Sequence, residues 1–212
     1  MAHSTSAAFN KWEGMWRAGL QPGQAFDAKR CEPAFAALLK AEPARLGMRA
    51  LVPGCGRGYA LGALAEAGYH ATGLEIAPSA VTAACDYLRA QQGIEHKWEV
   101  QEGDFFTHEA AQPYDLIYDC TFLCAIPPEM RTGWADCMDR LLSKDGELVT
   151  LIFPIKTPAF EGGPPYCMSP ELVRGLLEPR GFSAVALDEV PNEMLARGRI
   201  AKEFLGRWRK GR

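Results

Sequence analysis

Three glycines, Gly54, Gly56 and Gly58, follow a short apolar run at Ala50 to Val52, and an acid, Glu75, sits near the end of a second run at Ala71 to Ile76. Glycine lets a backbone turn tightly and approach a bulky ligand, and an acid about 20 residues further on accepts hydrogen bonds from ribose hydroxyls. Strand, glycine turn, a small-residue helix ending near Gly68, and a second strand make one βαβ unit, and open α/β sheets bind ligands at the carboxyl ends of their strands. An adenosine-containing cofactor is the first expectation, and the spacing narrows it. A dinucleotide fingerprint, G-x-G-x-x-G, counted from Gly54 reaches Tyr59 and counted from Gly56 reaches Leu61, so neither register fits. A G-x-x-x-x-G-K phosphate loop is missing too, because no suitably placed Lys follows Gly54 or Gly58.

Asp119 lies inside the apolar run Tyr114 to Phe122, where an unpaired carboxylate is costly and demands an explanation. The seven cysteines, at 31, 55, 85, 120, 124, 137 and 167, include no C-x-x-C pair, and the four histidines stand apart from them. That pattern argues against a disulfide framework and against a metal site, and for a reducing cytoplasm. A net charge of −3 gives no electrostatic reason to bind nucleic acid, although Arg207, Arg209, Lys210 and Arg212 make the tail locally basic. The polar start MAHSTSAAFN lacks a signal-peptide core, and no apolar run approaches membrane-spanning length, so an intracellular chain with no membrane partner is expected.

The elements that must hold these residues follow from period and punctuation. At 212 residues, with 48% hydrophobic and 23% charged content, one domain with a sizeable core is expected. Residues 8 to 20 place Trp12 and Trp16 on one helical face, weakened by Gly14 and Gly19: either a mobile arm closing over a site or a core-packing helix. Helices are expected to start at Pro33, to run from Pro78 to Gln92 and from Pro127-Pro128 to Leu142, and to reach Leu177 behind a Ser169 cap. Strands are expected at His96 to Gln101, Tyr114 to Phe122, Gly146 to Pro154 and Phe182 to Val190. Ile200 to Trp208 reads as a final antiparallel strand or a terminal helix. Ile155 to Pro170 is a glycine- and proline-rich loop suited to a substrate lip. Alternating strands and helices without an internal repeat favour one doubly wound sheet.

The G-x-G-x-G turn with its following acid resembles the S-adenosylmethionine site of class I methyltransferases. Five stretches, VPGCGRGY, GLEIAPSAV, EGDFF, YDLIYDCTFLCAIPPEMR and FPIKTPAFEGGPPY, together resemble the thiopurine S-methyltransferase superfamily, most closely its thiol and halide methyltransferase branch. The likeness runs from about Trp12 to the final residues. It implies an α/β fold with a single Rossmann-like, doubly wound, seven-stranded mixed sheet and helices on both faces. It also implies one methyltransferase domain over residues 1–212, with 1–30 as an arm over the cofactor, and a monomer. The implied donor is S-adenosylmethionine, leaving S-adenosylhomocysteine, and the implied acceptor is a small soft nucleophile: a thiol, hydrosulfide, halide or related chalcogen species. Carried onto this chain, the likeness assigns Trp12 and Trp16 to the arm, Gly54, Cys55 and Gly56 to the methionine portion, and Glu75 with Ile76 to the ribose side. Asp104 and Phe105 match the adenine-side pair, Asp119 an acid near the donor's amino group, and Arg131 an arginine of the cofactor and active-site region. Tyr166 matches the aromatic that faces the acceptor. Where the branch carries a Thr-Pro-Trp-Asp run, this chain has Gln21 to Asp27, with Phe26 at the tryptophan's place.

Methyl transfer from a sulfonium needs an in-line nucleophile and little covalent help, so positioning supplies about 7 to 11 kcal/mol at its general scale. Trp12, Trp16, Phe26, Phe122 and Tyr166 could form a dry pocket that strips water from an anion. A neutral thiol must lose its proton, for which Asp119 or a water on it is a candidate acceptor, with Arg131 favouring the thiolate. Alternatives are a small-molecule N- or O-methyltransferase of the same fold, or a cofactor-binding protein without activity. Pro164-Pro165-Tyr166 is not the N-P-P-Y motif of amino-methylating nucleic-acid enzymes, because that motif follows the fourth strand and this triplet follows the fifth.

Overall fold

Aliphatic runs bounded by Gly and Pro form the strands, and Ala- and Leu-rich runs, several opened by proline, form the helices. The computed structural model describes residues 2–156, 159, 161–196 and 202–211. In chain order come α1 (Ala2–Arg17), α2 (Pro33–Ala41), β1 (Arg49–Pro53), α3 (Tyr59–Glu66), β2 (His70–Glu75), α4 (Pro78–Arg89) and β3 (Trp98–Glu102). Then follow β4 (Tyr114–Cys120), α5 (Arg131–Leu141), β5 (Leu142–Ile155), α6 (Pro170–Leu177), β6 (Phe182–Glu189) and β7 (Lys202–Lys210). The seven strands form one mixed sheet in the order β3-β2-β1-β4-β5-β7-β6, as the α/β expectation required. Packing divides the chain into two compact units, Met1–Cys31 with Leu39–His108, and Glu32–Leu38 with Glu109–Arg212.

In the first unit β1, β2 and β3 are parallel, with Val52 opposite Gly73 and Glu75 opposite Glu102. Buried Leu61 and Leu64 seat α3 on this sheet. Gly73 is what permits that seat: a Cβ there would stand 2.5 Å from Leu61 Cδ1 and 2.7 Å from Cys55 Sγ. β3 begins at Trp98 rather than His96, because His96 takes a φ of 64° and leaves the extended region.

In the second unit β4 and β5 are parallel, while β7 pairs antiparallel with both β5 and β6. The terminal strand is therefore the correct alternative for Lys202–Lys210; the expected first residues, Ile200 and Ala201, lie outside the described residues. Trp208 is wholly buried, and its indole N–H donates to Thr150 Oγ1 at 2.9 Å. Ser169 caps α6 as expected, its Oγ accepting from Leu172 N at 3.1 Å.

Three boundaries differ from expectation, and two of them shape the site. β4 stops at Cys120 instead of Phe122, since Thr121 has a φ of 62° and a 3₁₀ turn, Leu123–Ala125, follows. The helix expected from Pro127 starts at Arg131, because Pro127 is extended (φ −58°, ψ 145° to 150° class, ψ 148°) and Pro128–Met130 form a separate 3₁₀ turn. β5 starts four residues early, at Leu142, which pairs with Tyr114 across a register shift. No helix among the described residues is long and apolar enough to cross a membrane.

Replacing Gly73 by Ala forces a methyl against Leu61 and Cys55. Overpacking of this kind costs about 1–3 kcal/mol. Urea denaturation of Gly73→Ala should show that loss; an unchanged midpoint would mean the turn and α3 can both retreat freely.

Candidate active site

The glycine turn is built where β1 ends. Gly54 and Gly56 have φ values of 57° and 53°, a region that L side chains rarely enter. Cys55 N donates to Leu74 O at 3.2 Å, tying the turn to β2. Glu75 completes the attachment: Oε2 accepts from Gly56 N at 3.1 Å, and Oε1 accepts from Ile76 N at 2.8 Å and Ala77 N at 3.1 Å. A carboxylate offers about four acceptor positions, so roughly one remains for a hydroxyl brought by a ligand. Burial pushes the Glu75 carboxyl up, and the three N–H groups pull the other way. Burial also pushes the Cys55 thiol up, with the Glu75 charge adding to it, so Cys55 is a neutral lining group and no nucleophile. In the same unit Asp104 Oδ1 accepts from Phe106 N at 3.0 Å, and buried Phe105 stands edge-on to Phe106.

The arm packs on this turn. Trp16 is 7% exposed against Ala77 and Ala80, with Trp12, Leu20, Phe26 and Ala83 around it. Phe26 meets both indoles edgewise, at 5.6 Å from Trp12 and 6.0 Å from Trp16. A Cβ on Gly56 would lie 3.6 Å from the Trp16 ring. Two polar attachments were not legible in the sequence. Glu13 accepts from Ser79 N at 3.0 Å and from Ser79 Oγ at 2.7 Å, so the arm caps α4, whose own cap residue, Ala77, has no side-chain acceptor. These bonds hold the Glu13 carboxyl below its usual range. Buried Asp27 accepts from Arg57 Nε at 2.7 Å, Lys29 N at 2.9 Å, Tyr59 Oη at 3.1 Å and Gly23 N at 3.2 Å. Burial alone would raise Asp27; the Arg57 guanidinium and the other donors outweigh it and hold the carboxyl low. Arg57 also covers the Trp16 ring, 5.1 Å from its centroid, and donates to Leu20 O. Arg57 lies within the quoted glycine turn, but its spacing carried no hint of Asp27.

The second unit holds the other three candidates. Asp119 is 2% exposed near the end of β4; Oδ1 accepts from Leu123 N at 3.2 Å and Oδ2 from the Trp134 indole N–H at 2.8 Å. That explains the carboxylate in an apolar strand. Tyr166 N donates to Cys124 O at 2.7 Å, and Gly163 makes room for its ring, since a Cβ there would stand 2.6 Å from Tyr166 Cγ. Arg131, the first residue of α5, lies 5.7 Å from the Tyr166 ring centroid. Its guanidinium is 8% exposed, and its Nε has no hydrogen-bond partner among the described residues. Burial pulls its pKa down, while Cys124 and Tyr166 act in the opposite direction. Trp134 and Gly163 are the residues that sequence reasoning missed here. Phe122 is half-buried, next to the turn that Asp119 holds.

The chain matches the family model described as Thiopurine S-methyltransferase (TPMT) over residues 7–197. Thiocyanate methyltransferase 1 of Brassica oleracea is 40% identical over 199 residues, covering 94% of this chain and 84% of that protein. A probable thiol methyltransferase 2 of Arabidopsis thaliana has the same identity and coverage. Among solved structures, magnesium protoporphyrin IX methyltransferase from Synechocystis PCC 6803 with bound SAH has a TM-score of 0.73 at 17% identity, covering 98% of each chain. That likeness is one of fold.

Burial pushes the Asp119 carboxyl from 3.8 to about 6, against the pull of the Leu123, Trp134 and Phe122 donors. Because the folded value is the higher one, the folded chain binds more protons than the unfolded chain between about pH 4 and 6, and this group favours folding less as pH rises through that window. The stability advantage of the wild type over Asp119→Asn should therefore shrink by on the order of 3 kcal/mol from pH 4 to pH 7 in urea titrations. An advantage that stayed constant over that range would place the titration elsewhere.

Proposed function

The chain belongs to the thiopurine S-methyltransferase family, and from that premise we propose that this S-adenosylmethionine-dependent methyltransferase acts on a small soft anion, a thiolate, hydrosulfide or halide-like species, by in-line displacement. The observation that carries the reading is Arg131. A buried guanidinium without a carboxylate is costly, by several kcal/mol. It stands at the first residue of α5, where the helix dipole is itself positive. An anionic acceptor offsets both terms at once, whereas an amine acceptor, protonated in water, would be repelled. The curated relatives named for thiocyanate and thiol methylation support the same class of acceptor.

The first unit's residues fit the donor. The positive-φ glycine turn leaves the space that a Cβ on Gly56 would take, and Glu75 keeps acceptor capacity at the end of β2. We assign Gly54, Cys55 and Gly56 to its amino-acid end, Glu75 and Ile76 to the ribose, and Asp104 and Phe105 to the base. Trp12, Trp16 and Phe26 serve as the lid. Bound there, S-adenosylmethionine supplies a methyl group already activated by the positive sulfur. Arg131 holds the acceptor's negative charge, and Tyr166 presents a polarisable face beside it that excludes water. An acceptor that arrives as the anion needs no base. A reducing, cytoplasmic setting belongs to the same reading, supported by seven cysteines without framework spacing.

Parallel incubation with iodide, hydrosulfide, thiocyanate, an aryl thiol, a primary amine and a catechol, with headspace and solution detection of methylated products, tests the acceptor class. Turnover of the soft anions is expected, and exclusive amine or catechol methylation would overturn the reading. Arg131→Gln should lower kcat/KM for the anions by about 10² to 10³, the scale of one charge-stabilising donor, with S-adenosylhomocysteine affinity unchanged. An equal loss of S-adenosylhomocysteine affinity by calorimetry would move Arg131 to the donor.

A further inference from the structure

Asp119 is the buried acid for which two jobs compete, proton acceptor and structural acceptor. Its surroundings decide between them. Every polar group in contact with it is a donor: Leu123 N on Oδ1, the Trp134 indole N–H on Oδ2, and the Phe122 N–H besides. A carboxylate so surrounded has its lone pairs occupied and lies 2% exposed. The chain it holds is strained. Thr121, a β-branched residue, has a φ of 62°, and such outliers persist only where their surroundings over-determine them. Here the restraints are the Asp119 bonds to the following turn, Thr121 Oγ1 donating to Cys120 O at 2.6 Å, and Cys124 Sγ donating to Thr121 O at 3.4 Å.

Both acceptor-side residues are hung from this turn. Cys124 O takes the Tyr166 N–H at 2.7 Å, so displacing the turn displaces the ring. Trp134 lies one helical turn after Arg131 on the same face of α5, and fixing its wholly buried indole fixes the guanidinium. We propose that Asp119 and Trp134 are a positioning pair that sets Tyr166 and Arg131 together, and that Asp119 takes no proton from the acceptor. The site then has no general base, and a thiol reacts only in the fraction that enters as thiolate. This inference rests on the soft-anion reading above.

The test compares iodide, which has no proton to lose, with an aryl thiol. A positioning role predicts that Asp119→Asn loses about 100-fold in kcat/KM for both acceptors alike, the scale of a misplacement near 1 Å. S-adenosylhomocysteine affinity should stay within twofold. Loss confined to the thiol, with iodide turnover intact, would restore Asp119 as a base and overturn the proposal. Two second-site variants keep the test sharp if Asp119→Asn is poorly folded. Trp134→Phe removes the N–H that opposes the new amide, and Thr121→Gly accepts the positive φ without strain. Each should recover at least tenfold of the loss in the Asp119→Asn background, a non-additivity no proton relay predicts. Strict additivity of both pairs would refute the clamp. Hydrogen exchange gives an answer that does not depend on turnover: residues 121–126 and 163–168 should lose protection together in Asp119→Asn and regain it with Thr121→Gly. If the wild type methylates neither acceptor, the soft-anion reading falls, while exchange still decides the clamp; unchanged protection at 163–168 sinks it.

Discussion

A parallel strand that stops releases backbone N–H groups that must find acceptors, and in this chain buried carboxylates supply them. Glu75 closes β2 and takes the N–H groups of Ile76, Ala77 and Gly56. Asp119 lies one residue before the end of β4 and takes those of Leu123 and Trp134. Each acid turns its strand end into a fixed loop, and each loop carries the residues that matter for chemistry. Hydrogen bonds to a charged acceptor are worth about 1.5–3 kcal/mol apiece, enough to offset the burial of a carboxylate that makes three of them. An aliphatic residue at either place would bury well and leave the N–H groups orphaned.

Arg131 receives the opposite treatment. Its Nε is buried with no partner, whereas the buried Asp27 is surrounded by four donors. Net stability of a domain is about 5–15 kcal/mol, so an uncompensated buried cation takes a sizeable share of it. Nothing in the packing of α5 requires that charge, since Trp134, Met138 and Leu141 already bury its face. The cation is thus an unfinished interaction that a bound anion completes, and the Tyr166 ring is a weak substitute for one.

The parts of this arrangement that were legible in the sequence are the local ones. Glycine turn, acid and strand lie within one βαβ unit, so spacing alone located Glu75 and Gly56. Alternation located β7, and Ser169 announced the start of α6. What remained hidden depends on tertiary contact. Trp134 reaches Asp119 across fifteen residues and Glu13 reaches Ser79 across sixty-six, and neither pair leaves a periodic trace. The end of β4 was misplaced for a related reason. Thr121 and Phe122 are good strand formers by propensity, but the Asp119 carboxylate draws the chain into a turn and overrides it. The same override explains why Arg131 heads α5: the double proline was expected to open the helix, and instead Pro127 stays extended.

The arm is held by contacts that are individually modest. α1 has no acid in its first turn and carries Gly14, so its intrinsic helical tendency is low. Burying Trp16 contributes about 3 kcal/mol and the Glu13 bonds to Ser79 a similar amount. Ordering a residue costs about 1–2 kcal/mol, so sixteen helical residues outweigh those gains unless helix bonds and the Asp27–Arg57 network add to them. The docked and undocked arms are therefore separated by a small difference. A ligand lying beneath the indoles adds apolar contact only to the docked form and shifts that balance by its differential affinity. A tighter latch would hold the arm down without a ligand and slow exchange; a looser one would leave the reacting groups in water. The two polar attachments, one of them bound to a helix end and the other to the glycine turn itself, place the arm's closure under the control of the same loop that receives the donor.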